Sequence, residues 1–133
     1  MQLLFHIDFF LEQIRAPKTI GSELLELCRS SRAQGWIPAA FLPVLYREAR
    51  EKRKDAEARA LLGDWLKGLS LLPQTGLELR QAWIGPGPDP EETLTLALAS
   101  QCGLDGVVSW TPERLSGEKV SVGSPEEWVR RLK

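Results

Sequence analysis

Asp8 is the residue in this sequence best placed to do chemistry. It follows Leu3, Leu4, Phe5 and Ile7 in the opening stretch MQLLFHIDFF, an apolar run that reads as a central, buried strand. A carboxylate at the end of such a strand is costly to bury unless hydrogen bonds, a cation or water satisfy it. In open α/β sheets, ligands gather outside the carboxyl ends of the strands. Asp8 therefore reads either as one ligand of an acidic metal cluster or as a structural carboxylate capping the helix that starts at FFLEQIR. His6, the only histidine, shares strand parity with Asp8 and reads as a satisfied core residue rather than a general base. Cys28 and Cys102, the only cysteines, fall in apolar helical patterns and read as two buried thiols. With one histidine they offer no zinc-ligand spacing. Ser109 has no plausible base in its sequence context, and GPGP lacks the Lys and Ser or Thr of a phosphate loop.

The elements that must position Asp8 alternate between strands and helices. After the first strand and the helix FFLEQIR, which Pro17 closes, Leu24, Leu25, Leu27 and Cys28 keep helical spacing, with Ser22 as N-cap and Gly35 as the stop. WIPA reads as a second strand and AFLPVLYREAREKRK as a helix, in which Pro43 is tolerable only in the first turn or at a kink. AEARALLGDWLKGLS is another helix, SLLPQ a third strand and GLELRQAW a short helix. IGPGPDP then leads into DPEETLTLALASQCG, a nearly all-apolar helix that must be sandwiched in the core. DGVVSW, TPERL, KVSVG and SPEEWVRRL complete the series as strand, helical turn, strand and a helix capped by Ser124. Alternating strands and helices imply a parallel sheet with helices on both faces.

The totals exclude several classes. The chain has 133 residues with 17 basic and 18 acidic side chains, net charge −1. That is one domain with a real core, and its charge balance does not favour non-specific nucleic-acid binding. REAREKRKD reads as a solvated helix end. No stretch reaches membrane-spanning length and LLF is short for a signal peptide, so a soluble cytoplasmic protein is expected. Of the five tryptophans, Trp36, Trp65, Trp83 and Trp128 read as core or half-buried packing, and Trp110 as lying beside the site.

The order strand-Asp-helix, helix pair, strand, helix pair, strand, followed by DPEETLTLALASQCGLDGVVSWTPERL, resembles a PIN domain over most of the chain. The similarity is sharpest from Asp89 to Leu115 and continues into VSVGSPEEWVRRL. The resemblance implies a three-layer α/β/α sandwich with a parallel sheet of about five strands, as a single domain over residues 1–133. It also implies a metal-dependent ribonuclease ancestry that includes toxins of toxin–antitoxin pairs. In that family, acidic residues from separate strand and helix ends hold magnesium or manganese, hard cations that take oxygen ligands and activate water for phosphodiester hydrolysis.

Laid on that pattern, the sequence matches unevenly. Asp8 takes the first acidic position, although Phe9 and Phe10 replace small polar followers. The second acidic position falls on Val44, with Glu48 one turn on along the same helix face as a longer-reaching substitute. The third falls on Glu92, with Asp89 just upstream as N-cap. In the fourth region Ser109, Trp110, Thr111 and Arg114 line the site, with the neutral Thr111 and the cationic Arg114 in the places where acids or amides are expected. Asp105 resembles an acid often found before the fourth strand and reads as structural. The resulting expectation is a PIN-fold protein with a partly lost nuclease centre that binds RNA or a protein partner, as a homodimer in one form. The alternative is a divergent Mg- or Mn-dependent endoribonuclease using Asp8, Glu92 and Glu48, with Asp8 and Glu92 as weak metal ligands. Arg114 is expected to pair with Asp8 or Glu92, a bond whose loss costs about 3–5 kcal/mol when the pair is buried.

Overall fold

Leu3, Leu4 and Phe5 are wholly buried, so strand β1 (Gln2–Phe5) has both faces covered. Burial of each such side chain is worth roughly 1.5–3 kcal/mol. The computed structural model describes residues 1–87, 89–115 and 120–133. Within them β1 is the middle of a five-stranded parallel sheet of order β3-β2-β1-β4-β5, with β2 at Gln34–Pro38, β3 at Leu69–Leu72, β4 at Gly106–Val108 and β5 at Ser121–Gly123. In the register, Leu4 stands opposite Trp36 of β2 and Val107 of β4.

Seven helices connect and flank the strands: α1 (Ile7–Arg15), α2 (Thr19–Arg29), α3 (Leu42–Arg50), α4 (Asp55–Trp65), α5 (Gly76–Ile84), α6 (Pro90–Gln101) and α7 (Pro125–Leu132). Chain order reverses direction across the sheet after β3. The right-handed rule for parallel crossovers then places α1 to α4 on one face and α5 with α6 on the other. This is the three-layer sandwich expected from the sequence. Among the described residues no helix is long and apolar enough to cross a membrane.

Several local readings are corrected. The first strand stops at Phe5, and Ile7 opens α1 with His6 at its N-cap, so Asp8 lies in the first helical turn. A helix N-terminus favours an acid there. Helix α2 starts at Thr19 rather than after Ser22, because Ser22 N–H already donates to Lys18 O at 3.1 Å and so belongs to the first turn; Gly21 lies within it against Gln13, where a Cβ would come 2.6 Å from Gln13 Oε1. Gly35 is not the helix stop but part of β2, where a Cβ would meet Leu69 Cδ2 at 2.4 Å. The left-handed turn that ends this stretch is at Ser31, with φ 66°. Cys28 is buried, and its thiol pKa is pushed up to about 11 by that burial. Cys102 is exposed, contrary to the expected pair of buried thiols. Trp83 is also exposed, because α5 buries only Ala82. Lys119, the first residue of the KVSVG strand reading, lies outside the described residues.

Other readings agree with the structure. Pro43 sits in the first turn of α3. Asp89 caps α6, accepting from the backbone N–H groups of Glu91 (2.9 Å) and Glu92 (3.1 Å). Ser124 caps α7 through Glu127 N–H. Asp105 accepts from Gln2 N–H at 2.6 Å, a structural bond at the amino end of β1 and so the end opposite Asp8.

Candidate functional site: an acidic centre at the carboxyl end of the sheet

Helix α1 begins where β1 ends, and the segment after β4 arrives beside it because β1 and β4 are neighbours. The two meet at Asp8. Its Oδ2 accepts from the Ser109 hydroxyl (2.7 Å), the Trp110 backbone N–H (3.0 Å) and the Thr111 hydroxyl (3.3 Å). Ser109 Oγ in turn accepts from Thr111 N–H at 3.0 Å. Asp8 Oδ1 is buried and has no hydrogen-bond partner. One oxygen thus fastens the carboxylate to the β4 turn and the other is left over.

Phe9 and Phe10, which replace small polar followers, hold this corner from below. Both are wholly buried. Phe9 packs edge-on to Phe5 (4.9 Å between centroids) and stacks on Trp110 (5.9 Å, 7° between planes). Phe10 packs against Trp65 at 4.9 Å. Lys18 Nζ lies 4.6 Å from the Trp110 ring centroid. Trp110 therefore sits beside the site, as the sequence suggested, but it is built into the scaffold.

The second wall is the start of α6. Glu92 Oε1 meets Arg114 Nη2 at 3.0 Å, and Asp89 Oδ2 meets the same nitrogen at 3.9 Å. Arg114 belongs to a 3-10 turn, Pro112–Arg114, that directly follows Thr111. Asp8, Glu92 and the TPERL turn are thereby linked at one end of the sheet. Of the two acids proposed for Arg114 from the sequence, Glu92 is the one it bonds. The Arg114 side chain is 62% exposed and that of Glu92 17%. Solvent screening reduces such a pair to about 0–1 kcal/mol, which corrects the larger cost expected for a buried one.

Glu48 is not brought to this centre. Its carboxylate pairs with Arg15 at 2.6 Å, and Arg15 is the last residue of α1. That lies roughly 10 Å along the helix from Asp8. The expected second acidic position, Val44, is a half-buried apolar residue packed on the core.

His6 is the residue whose partner the sequence reading missed. Its Nδ1 is 2.8 Å from Thr95 Oγ1, and both side chains are buried. Thr95 is a lone buried hydroxyl within the apolar helix α6, a visible signal that a polar group faces it. Burial lowers the His6 pKa from 6.5; the charges of Asp8 and Asp89 oppose this and that of Arg114 reinforces it. The pKa of neighbouring Glu91 is raised by burial and by the Asp89 charge.

The sign of the His6 effect on stability follows by linkage. Well above pH 6.5 the ring is neutral in both states and contributes no pH dependence. Below it the unfolded chain takes up a proton that the folded chain resists, so stability falls as pH drops until the folded-state pKa is passed. Urea midpoints measured from about pH 7.5 to 5.5 should fall more steeply in wild type than in His6→Gln. Parallel curves would refute this.

Two solved structures are among those to which the chain is similar. One is VapBC2 from Rickettsia felis bound to a DNA fragment from the promoter, with 15% identity, 93% of this chain and 98% of that chain covered, and a TM-score of 0.70. The other is DNA-bound VapBC from Salmonella typhimurium, with 14% identity, 94% and 98% coverage and a TM-score of 0.68. VapC toxins are PIN domains, and the fold of this chain is PIN-like. At these identities the likeness is one of fold. No protein-family model matches the sequence. No curated protein matches it either.

A PIN-like fold implies a divalent cation among the carboxylates, and the donor set can be tested against that. Asp8 Oδ1, buried and unpartnered, favours a cation. Glu92 is bonded to a guanidinium and Glu48 to Arg15. Among the described residues, no group of three or more His, Cys, Asp or Glu side chains is arranged to hold a metal. Hard cations of this kind bind through convergent oxygens, with waters completing the shell. The set present does not fit a catalytic ion.

Proposed function

We propose that this chain is a PIN-fold binding module that acts by engaging a protein partner rather than by cutting RNA. The observation that carries the reading is Arg114 lying against Glu92 and Asp89, where hydrolysis would require a metal. A guanidinium supplies positive charge and directional donors, but it cannot lower the pKa of a coordinated water as a metal does.

Charge then separates the two kinds of partner. Asp8, Asp89, Glu91 and Glu92 outnumber Arg114 and Lys18 at this end of the sheet, so a phosphate backbone meets net negative charge there. A protein partner suits the surroundings better. Helix α5 exposes Leu77, Trp83 and Ile84, and its chain continues directly into the loop that reaches Asp89. Exposed apolar clusters of this kind are common at protein interfaces. The similar structures are themselves VapBC assemblies. Self-association into a homodimer belongs to the same reading, and sedimentation would detect it.

The second reading, a divergent Mg- or Mn-dependent endoribonuclease based on Asp8 and Glu92, is favoured by the unpartnered Asp8 Oδ1. Incubation of labelled single-stranded RNA with wild type and Asp8→Asn, with magnesium, manganese or chelator, separates the two. The expected result is no cleavage beyond that of the variant and only weak, salt-sensitive RNA retention. Manganese-dependent cleavage lost in Asp8→Asn would establish the nuclease instead. Saturable RNA binding at physiological salt without cleavage would make RNA the partner.

A further inference from the structure

We infer that Arg114 is the resident cation of the acidic centre, held where the fold implies a divalent ion, and that Asp89 and Glu92 become a metal site only when Arg114 is removed. This rests on the reading above and deepens it, by stating what keeps the centre from taking a metal.

The carboxylates divide their oxygens in a consistent way. Asp8 commits Oδ2 to the β4 turn and leaves Oδ1 unbonded. Asp89 commits Oδ1 to the first N–H groups of α6 and turns Oδ2 towards Arg114. Glu92, the least exposed member of the ion pair, places Oε1 on the same guanidinium nitrogen. One oxygen of each aspartate thus holds the framework, and the oxygens left over by Asp89 and Glu92 converge on a single positive group. Two carboxylates with several waters can hold a magnesium ion, so it is the guanidinium on Asp89 and Glu92 that makes the present set unfit for one.

Arg114 is mostly exposed, yet its backbone is not free to drift. Thr111, at the start of its turn, is bonded to Asp8, and Leu115, which follows it, is wholly buried. The turn is fixed at both ends, so the guanidinium is tethered over Asp89 and Glu92 at high effective concentration. A free divalent ion must displace that tethered charge before it can bind.

Manganese is the probe, read by loss of the free-ion electron paramagnetic resonance signal and by thermal shift. Wild type is expected to bind manganese weakly and to show little rise in melting temperature. Arg114→Gln and the near-isosteric Arg114→Met should each bind manganese at least about tenfold more tightly, a gain of about 1.4 kcal/mol, with a rising melting temperature because the ion binds the folded state. Arg114→Lys keeps a cation and should resemble wild type. Arg114→Gln combined with Glu92→Gln should lose the gain. The resonance readout does not depend on stability, so a destabilised variant remains informative at low temperature. Equal manganese binding by wild type and Arg114→Gln, or no gain in either neutral variant, would overturn the inference. No gain would leave the binding-module reading standing, whereas manganese-dependent RNA cleavage by wild type would remove both.

Discussion

Asp8→Ala is expected to lower the unfolding free energy by about 2–3 kcal/mol, the loss typical of hydrogen bonds to a charged group whose buried partners are then left unpaired. Three donors converge on Asp8 Oδ2, and one of them, Ser109, is wholly buried. Truncation strands the Ser109 hydroxyl and the Trp110 N–H without compensating them. Asp8→Asn should cost less, about 1 kcal/mol, because its carbonyl oxygen can take the place of Oδ2. Urea unfolding of the three proteins checks the order. The same substitutions separate a structural carboxylate from a ligand: an Asp8→Ala protein as stable as wild type would mean that the three bonds contribute nothing and that Asp8 is kept for another purpose.

Trp128→Ala should be the most damaging single truncation, at about 3–5 kcal/mol. The indole of α7 is 1% exposed and donates from Nε1 to Val107 O at 2.9 Å. It also fills the space left by Gly106, where a Cβ would lie 2.3 Å from the ring. Removing it leaves a cavity beside β4 and takes the indole hydrogen bond from Val107 O. Trp128→Phe keeps most of the volume and loses the bond, so about 1–2 kcal/mol is expected. Gly106→Ala makes the reciprocal error by overfilling, at about 1–3 kcal/mol. Because Ser109 follows β4 directly, the strand anchored by Trp128 also delivers the donors of Asp8. If Trp128→Ala melted within a degree of wild type, that packing would not be holding the strand.

The fold was legible because its signals are local and mutually consistent. The apolar run Leu3, Leu4, Phe5 and Ile7 located β1 though not its end, Asp89 and Ser124 announced their helices, and the alternation of elements implied the parallel sheet. Element boundaries were less legible. Ser22 suggested a helix start and Gly35 a helix stop, yet Gly21 and Gly35 sit where a Cβ would meet Gln13 and Leu69, and such close approaches are invisible along a chain. The candidate site was legible in part. Asp8 with Ser109, Trp110 and Thr111, and Glu92 with Arg114, meet at one end of the sheet, as the resemblance to PIN domains implied. Glu48 does not, because its position on α3 sets its carboxylate beside the far end of α1, where Arg15 takes it. Thr95 was missed because its importance lies in facing His6, a relation set by how α6 crosses the sheet.

Strand β1 pairs on one side with β2, whose partners lie about thirty residues away, and on the other with β4, more than a hundred residues downstream. That arrangement has a kinetic consequence. The donors of Asp8 are separated from it by 101 to 103 residues, so the acidic centre cannot form from any early local folding unit. Contacts of such long sequence separation slow folding, because loop-closure entropy is lost before they form. Until β4 docks, one side of an apolar strand offers unpaired backbone groups, the kind of edge that captures a strand from another chain. Docking of Gly106–Val108 thus closes the sheet's most hazardous edge and assembles the centre in the same event.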